Sequence, residues 1–129
     1  MSAQLNHTIV ACRDKQASAA FLTQILGLPP PLAFGHFLVV ELANGVSLDF
    51  ADDGGDEIAS QHYAFLISED EFDQVHARVL DREITFWPNP WMANPGRINH
   101  NDGGRGFYFM DPDGHFLEVL TRPYGSGAG

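Results

Sequence analysis

The sequence predicts an α+β fold in which one pattern, a strand, a helix and a hairpin, occurs twice. Each half opens on a β-branched or aromatic apolar run. A helical stripe behind a capping residue follows, and an Asn-Gly or Asp-Gly turn then centres a hairpin. With 129 residues, 44% of them hydrophobic, the chain suits one compact domain, residues 1 to 122, with a core of its own.

In the first half, residues 5 to 11 form the opening strand. Asp14 is placed to cap a helix whose stripe is Ala17, Phe21, Leu22, Ile25 and Leu26, closed by Gly27. Pro29-Pro30-Pro31 forces a turn. Residues 37 to 42 and 46 to 50 flank Asn44-Gly45, which fits a two-residue hairpin loop. The acidic stretch 52 to 56 reads as a joint, so the modules span about residues 5 to 51 and 61 to 122. In the second half, residues 62 to 67 form a strand, and Ser68 and Glu71 have capping-box spacing ahead of a stripe of Phe72, Val75, Val79 and Leu80. A short strand near residues 84 to 87 precedes a Pro-rich loop. Residues 106 to 110 and 115 to 121 then flank the turn Asp111-Pro112-Asp113-Gly114. Gly and Ser dominate residues 123 to 129, which reads as a flexible tail.

Composition excludes several functions. Seven basic against seventeen acidic residues give a net charge of −10, which argues against nucleic acid, because phosphate contacts are made mainly by Lys and Arg. Cys12 is the sole cysteine, leaving no internal disulfide and no cysteine-built metal cluster. No apolar run approaches the roughly 20 residues of a membrane span, and the N-terminus lacks the basic and apolar blocks of a secretory signal. A soluble, cytoplasmic protein without membrane attachment is expected.

The repeat isolates four side chains. His7 and His62 hold equivalent places in the opening strands, while Asp49 and Glu118 each lie four residues beyond a turn glycine, Gly45 or Gly114. An ionised Glu118 within an apolar strand is costly unless paired, hydrogen-bonded or metal-bound. Imidazole and carboxylate together suit a divalent first-row metal, and two His plus one carboxylate suit non-haem iron or related chemistry. Blander alternatives exist: Glu118 can pair with Arg97, Arg105 or Arg122, and Asp49 can lie exposed on an edge strand. His36, His76 and His115 do not share the repeat symmetry; His76 reads as helix surface and His115 as a turn residue.

On these residues the chain, from about Leu5 to Arg122, resembles the vicinal oxygen chelate superfamily, which includes glyoxalase I, extradiol dioxygenases, and fosfomycin- and bleomycin-resistance proteins. The resemblance implies two βαβββ modules forming a cup-shaped, mostly antiparallel mixed sheet with helices outside. It also implies one divalent metal per site, Fe, Mn, Zn or Ni, held by His7, His62 and Glu118. A homodimer is implied too, with a small-molecule substrate or drug as the partner. From Ile98-Asn99-His100 through Phe107-Tyr108 to Glu118 the chain resembles the extradiol signature. That likeness implies that His100 orients substrate or moves a proton, and that Tyr108 donates a hydrogen bond beside the metal. Extradiol enzymes carry a further catalytic His where this chain has Ser47 and Asp49. In glyoxalase I the fourth ligand is a Glu at the place of Asp49, one methylene longer, so Asp49 is a possible fourth ligand here. The cationic phosphonate pocket and potassium loop of fosfomycin-resistance enzymes find no counterpart in this acidic chain.

The expected function is therefore a small metal-dependent enzyme, a lyase or extradiol-type dioxygenase, that acts on an aromatic or oxygen-rich molecule by chelation. The alternative is a bleomycin-resistance-type protein that sequesters an aromatic drug without chemistry, giving antibiotic resistance. Trp87 and Trp91, in Trp87-Pro88-Asn89-Pro90-Trp91-Met92, can stack on a planar ligand. They are candidate substrate-binding residues together with Met110.

Overall fold

The computed structural model describes residues 2 to 52 and 57 to 127. Most of the acidic joint and the last two residues of the tail lie outside that range. The chain divides into two compact units, residues 1 to 59 and 60 to 129. Among the described residues no helix is long and apolar enough to cross a membrane.

Unit 1 runs β1 (His7–Ala11), α1 (Lys15–Leu26), β2 (Leu32–Phe34), β3 (Phe37–Glu41) and β4 (Ser47–Ala51). Its strands lie in the order β1-β4-β3-β2, with β1 parallel to β4 and the other pairs antiparallel. α1 starts where Asp14 accepts hydrogen bonds from the backbone N–H groups of Gln16 and Ala17, at 3.0 and 3.1 Å. It ends at Gly27, whose φ of 69° suits a residue without Cβ. Alternation along the strands sends Val10, Val40, Leu48 and Phe50 to one face, where they are buried with Ala19, Leu22 and Ile25 of α1.

Two expectations for this unit need correction. The buried face of α1 consists of Ser18, Ala19, Leu22, Thr23 and Ile25, while Ala17 is exposed. Small polar residues can take core places when their hydroxyls are satisfied, and Thr23 Oγ1 donates to the carbonyls of Ala19 and Ala20. The second is the turn expected after the prolines, which leads directly into a three-residue strand, β2, exposed throughout and so without a pattern in the sequence.

Unit 2 repeats the plan with β5 (His62–Leu66), α2 (Glu69–Asp81), β6 (Phe86–Trp87), β7 (Gly106–Met110) and β8 (Phe116–Leu120), in the order β5-β8-β7-β6. β5 is parallel to β8, and the remaining pairs are antiparallel. The capping box at Ser68 and Glu71 is formed in both directions. Phe72, Val75 and Val79 face the core with Phe65, Phe86, Phe107, Phe109, Leu117 and Val119, whereas Leu80 is exposed. The chain thus has two βαβββ modules, each a four-stranded mixed sheet with one helix, in an α+β fold.

His76 is not plain helix surface. Its ring lies 5.4 to 5.8 Å from those of Phe72, Phe86 and Phe107, and burial, with Arg105 nearby, lowers its pKa below the ordinary imidazole value. His115, read as a turn residue, follows the turn between β7 and β8 and is fully buried there, and its Nδ1 accepts the Gln61 N–H at 3.0 Å. It fastens the β7–β8 turn to the start of β5.

Candidate functional site

Register explains why the repeated side chains meet in pairs. In unit 1 His7 stands beside Ser47, and Asp49 lies two residues further along the same face of β4. In unit 2 His62 stands beside Phe116, and Glu118 lies two residues further along β8. Residues two apart on a strand share a face, so each sheet presents an imidazole and a carboxylate together.

The unit 2 pair is the more developed. Glu118 is 1% exposed, and its Oε1 is 3.2 Å from His62 Nε2. On the other side of the ring, His62 Nδ1 is 2.9 Å from the Phe116 carbonyl. A carbonyl only accepts, so Nδ1 carries the proton and donates. Nε2 therefore faces the carboxylate either with a second proton or with a bare lone pair. Two opposed acceptors repel each other unless a cation lies between them. Two donors bound to one divalent ion at about 2.1 Å stand roughly 3.0 to 3.4 Å apart at octahedral or tetrahedral angles, and the 3.2 Å spacing falls in that interval. The residues present fit a metal.

No Arg fills this role among the described residues. Arg105 is engaged by Glu69 at 2.7 Å and Asp73 at 2.9 Å, and its guanidinium lies 4.3 Å from the Phe72 ring centre. Arg122 donates to the Ser126 carbonyl. The carboxylate is met instead by a phenol: the Tyr124 hydroxyl donates to Glu118 Oε1 at 2.6 Å and Oε2 at 2.5 Å. Tyr124 has one proton, so the 3.2 Å contact between hydroxyls has Tyr108 donating and Tyr124 accepting. Burial raises the pKa of Tyr108, and burial of the hydroxyl end together with the bond to Glu118 raises that of Tyr124. Both remain hydroxyls at neutral pH.

Aromatic rings pave the face around the pair. Tyr108 stacks on Phe116 with centroids 5.5 Å apart and an interplanar angle of 17°. Trp87 lies 6.0 Å from Phe116, and His62 lies 6.1 Å from Tyr108. Met110 is partly exposed and in register with Phe116. Trp91 is 73% exposed on a loop clipped by Asn89, whose side chain bonds both the N–H and the carbonyl of Ala93, and it joins none of these ring contacts. His100 is exposed before a 3₁₀ turn, Asn101–Gly103, and has no side-chain cap bond. Tyr108 and Trp87 thus stand in the cluster, whereas Trp91 and His100 stand outside it.

In unit 1, Asp49 is half-buried and accepts from Ser47 Oγ at 3.0 Å. It is not on an edge: β4 is an interior strand, with β1 and β3 on either side. His7 is exposed, and its Nδ1 lies 2.7 Å from Asn6 Oδ1, so it donates there and keeps Nε2 available. Both side chains open onto a groove of about 570 Å³ walled by Pro29, Pro30, Phe34, Phe37 and Val39. Among the described residues no three His, Cys, Asp or Glu side chains are gathered as a metal cage.

Sequence reading missed Tyr124. Expected to belong to a flexible tail, it is instead hydrogen-bonded to Glu118, and the only clue was a lone aromatic after Arg122-Pro123 in a stretch otherwise Gly, Ser and Ala.

A βαβββ repeat bearing a histidine on each opening strand and a buried glutamate on the last defines a class. The family model described as Glyoxalase/Bleomycin resistance protein/Dioxygenase superfamily matches residues 4 to 119, and the chain belongs to that superfamily. More particularly, it resembles the solved structure of "Oxidase ChaP-H2", at 58% identity over 99% of this chain and 100% of that one, with a TM-score of 0.95. "Oxidase ChaP-H1" is similar at 53% identity over 96% and 99%, with a TM-score of 0.93. "Glutathione transferase FosA" of Serratia marcescens is 32% identical over 124 residues, covering 92% of this chain and 81% of the relative.

Proposed function

We propose that the protein is a metal-dependent oxidising enzyme whose substrate is an aromatic or oxygen-rich small molecule that chelates the metal. The observation that carries this reading is the buried Glu118 carboxylate 3.2 Å from an imidazole nitrogen whose partner nitrogen is already committed to a carbonyl. Members of the superfamily are typically dependent on a divalent metal and act on small molecules. The two oxidases at 58% and 53% identity favour oxidation over lyase chemistry. In this reading His62 and Glu118 are ligands, and the family resemblance assigns a further one to His7, of this chain or of a partner copy, with Asp49 as an optional fourth donor.

When bound, the ion would polarise substrate oxygens, and an oxidising role selects Fe or Mn over Zn, which has no redox chemistry. The chain's own residues do the rest. Phe116 and Trp87, half-buried and tilted 40° to each other, offer apolar rings against which an aromatic ring can pack. The Tyr108 hydroxyl gives its one proton to Tyr124, so beside those rings it can only accept a hydrogen bond. Oxygen uptake with a panel of dihydroxylated aromatic compounds, using iron-loaded and chelator-stripped protein, tests the reading. Uptake that requires metal supports it.

A second reading is favoured by the same aromatic surface: sequestration of a planar drug without chemistry. Tight binding by stripped protein, quenching Trp87 fluorescence and releasing the ligand unchanged, selects that alternative. Superfamily members commonly function as dimers, and we extend this to a homodimer here, supported by the exposed Ile9 and Leu66 on the opening strands. Light scattering at micromolar concentration is expected to give about twice the 14.2 kDa chain mass; the chain mass alone counts against it.

A further inference from the structure

We propose that Tyr124 is the positioning residue for Glu118, and that residues 122 to 127 form a strap whose task is to deliver its hydroxyl. This rests on the reading of Glu118 as a metal ligand.

The side chain is oriented opposite to one placed for packing. A packed tyrosine hides its ring and leaves its hydroxyl near water. Here the residue is 61% exposed, yet its hydroxyl reaches the two oxygens of a carboxylate that is 1% exposed. The ring gains little from burial, so the hydrogen bond is the main contact this residue supplies.

The strap is fastened independently of the tyrosine. Arg122 Nη2 donates to the Ser126 carbonyl at 3.2 Å. Ser126 returns its N–H and Oγ to the Pro123 carbonyl, at 3.1 and 2.6 Å, closing a turn around Tyr124. Gly127 N–H donates to Asp102 Oδ1 at 3.2 Å, and a Cβ on Gly127 would run into the Asp102 backbone. A Cβ on Gly104 would lie 2.5 Å from Thr121 Oγ1 and 2.8 Å from Arg122 Cγ. Two glycines thus leave room for the strap at its ends.

Glu118 has three rotatable side-chain bonds, and His62 touches only one of its oxygens. The Tyr124 hydroxyl spans both and fixes the carboxylate plane, so that Oε1 stays toward His62 Nε2. Tyr108 donates to the Tyr124 oxygen and holds the phenol in turn. Hydrogen-bonded supports of this kind behind a ligand are commonly worth 10- to 100-fold in metal affinity.

The test is a Co²⁺ titration of full-length protein purified metal-free, read by the visible d–d bands and by Trp fluorescence, with wild type, Tyr124→Phe and Glu118→Gln. Circular dichroism melts of the metal-free proteins check that the fold is kept, as the exposed ring leads one to expect. Tyr124→Phe is expected to weaken Co²⁺ binding about 10- to 100-fold and to alter the d–d bands, with little change in melting temperature. Unchanged affinity and bands in Tyr124→Phe, with binding lost in Glu118→Gln, overturns the role of Tyr124 and leaves the metal site standing. Tighter binding in Tyr124→Phe also overturns it, since the phenol would then compete with the ion. Wild-type affinity in Glu118→Gln removes Glu118 from the site, and this inference with it.

Discussion

The two modules place their histidine and carboxylate at the same register, yet surround them differently. Val39 stands opposite Asp49 in unit 1 where Tyr108 stands opposite Glu118 in unit 2. Asp49 is half-buried and bonded to its near neighbour Ser47. Glu118 is buried, touches His62 and has two phenols behind it. Topology delivers the pair; burial and the hydrogen bonds around it decide how strongly the pair demands a cation. In water an ion pair is worth little, whereas a buried carboxylate that loses its partner is costly. What the modules share is the Nδ1 contact: each histidine turns that nitrogen to an oxygen, Asn6 Oδ1 or the Phe116 carbonyl, and points Nε2 away from it.

The sharpest way to break this comparison is to delete each carboxylate. Metal analysis of wild-type protein is expected to find roughly one divalent ion per site, with Glu118→Ala and His62→Ala losing it and Asp49→Ala keeping it. Equal losses at positions 49 and 118 would make the modules equivalent and the site four-coordinate in protein ligands. Metal retained by His62→Ala would remove that histidine.

Next in size come the cores. Phe107 is fully buried and edged by Phe72, Phe86 and Phe109, so Phe107→Ala is expected to cost about 3 to 5 kcal/mol in urea unfolding. Ile25→Ala, its counterpart under the unit 1 sheet, is expected to cost about 2 to 5 kcal/mol. A loss well below 1 kcal/mol at either position would mean that module does not depend on its helix-to-sheet packing.

The helix caps differ less. Ser68→Ala removes one half of a reciprocal box and Asp14→Ala a bond to two N–H groups; each is expected to cost about 1 kcal/mol, measurable as a shift in urea midpoint.

The smallest effect separates the modules by pH. Burial, with Arg105, depresses the His76 pKa, so the folded state holds its proton less tightly than the unfolded chain. The associated stability is complete above the ordinary value near 6.5 and is lost as pH falls through the depressed folded value. Melting temperatures taken from about pH 7.5 to about pH 5 are expected to fall less in His76→Phe than in wild type. Identical slopes would show that His76 does not report on the unit 2 core.

Legibility in the sequence followed locality. Asp14, Ser68 and Glu71 announce helix starts because a cap is a contact across two or three residues. Asn44-Gly45 and Asp113-Gly114 announce hairpins because the turn needs their backbone freedom. β2 was invisible because three exposed residues carry no periodicity, and the α1 stripe was misplaced because Ser18 and Thr23 are polar residues that satisfy their own hydroxyls in the core. The site divides in the same way. His62 and Glu118 stood out as polar residues in strands, Trp87 as a rigid indole in a Pro-rich stretch, and Tyr108 followed from resemblance to a family. Tyr124 meets Glu118 only after the chain doubles back, and no short-range pattern encodes that return.

The exposed β2 strand has a consequence for the protein as a colloid. Leu32, Ala33 and Phe34 form the outer edge of their sheet, with Leu32 68% and Phe34 75% exposed, and they carry no lysine or interior proline to discourage a neighbouring strand. At neutral pH a net charge of −10 keeps molecules apart at low salt, since repulsion acts over roughly 10 Å at 0.1 M ionic strength. As the solution approaches the isoelectric point near 4.7 that repulsion vanishes while the sticky edge remains. Purification and crystallisation therefore belong well above that pH, and turbidity is expected to rise first with acid and then with added salt.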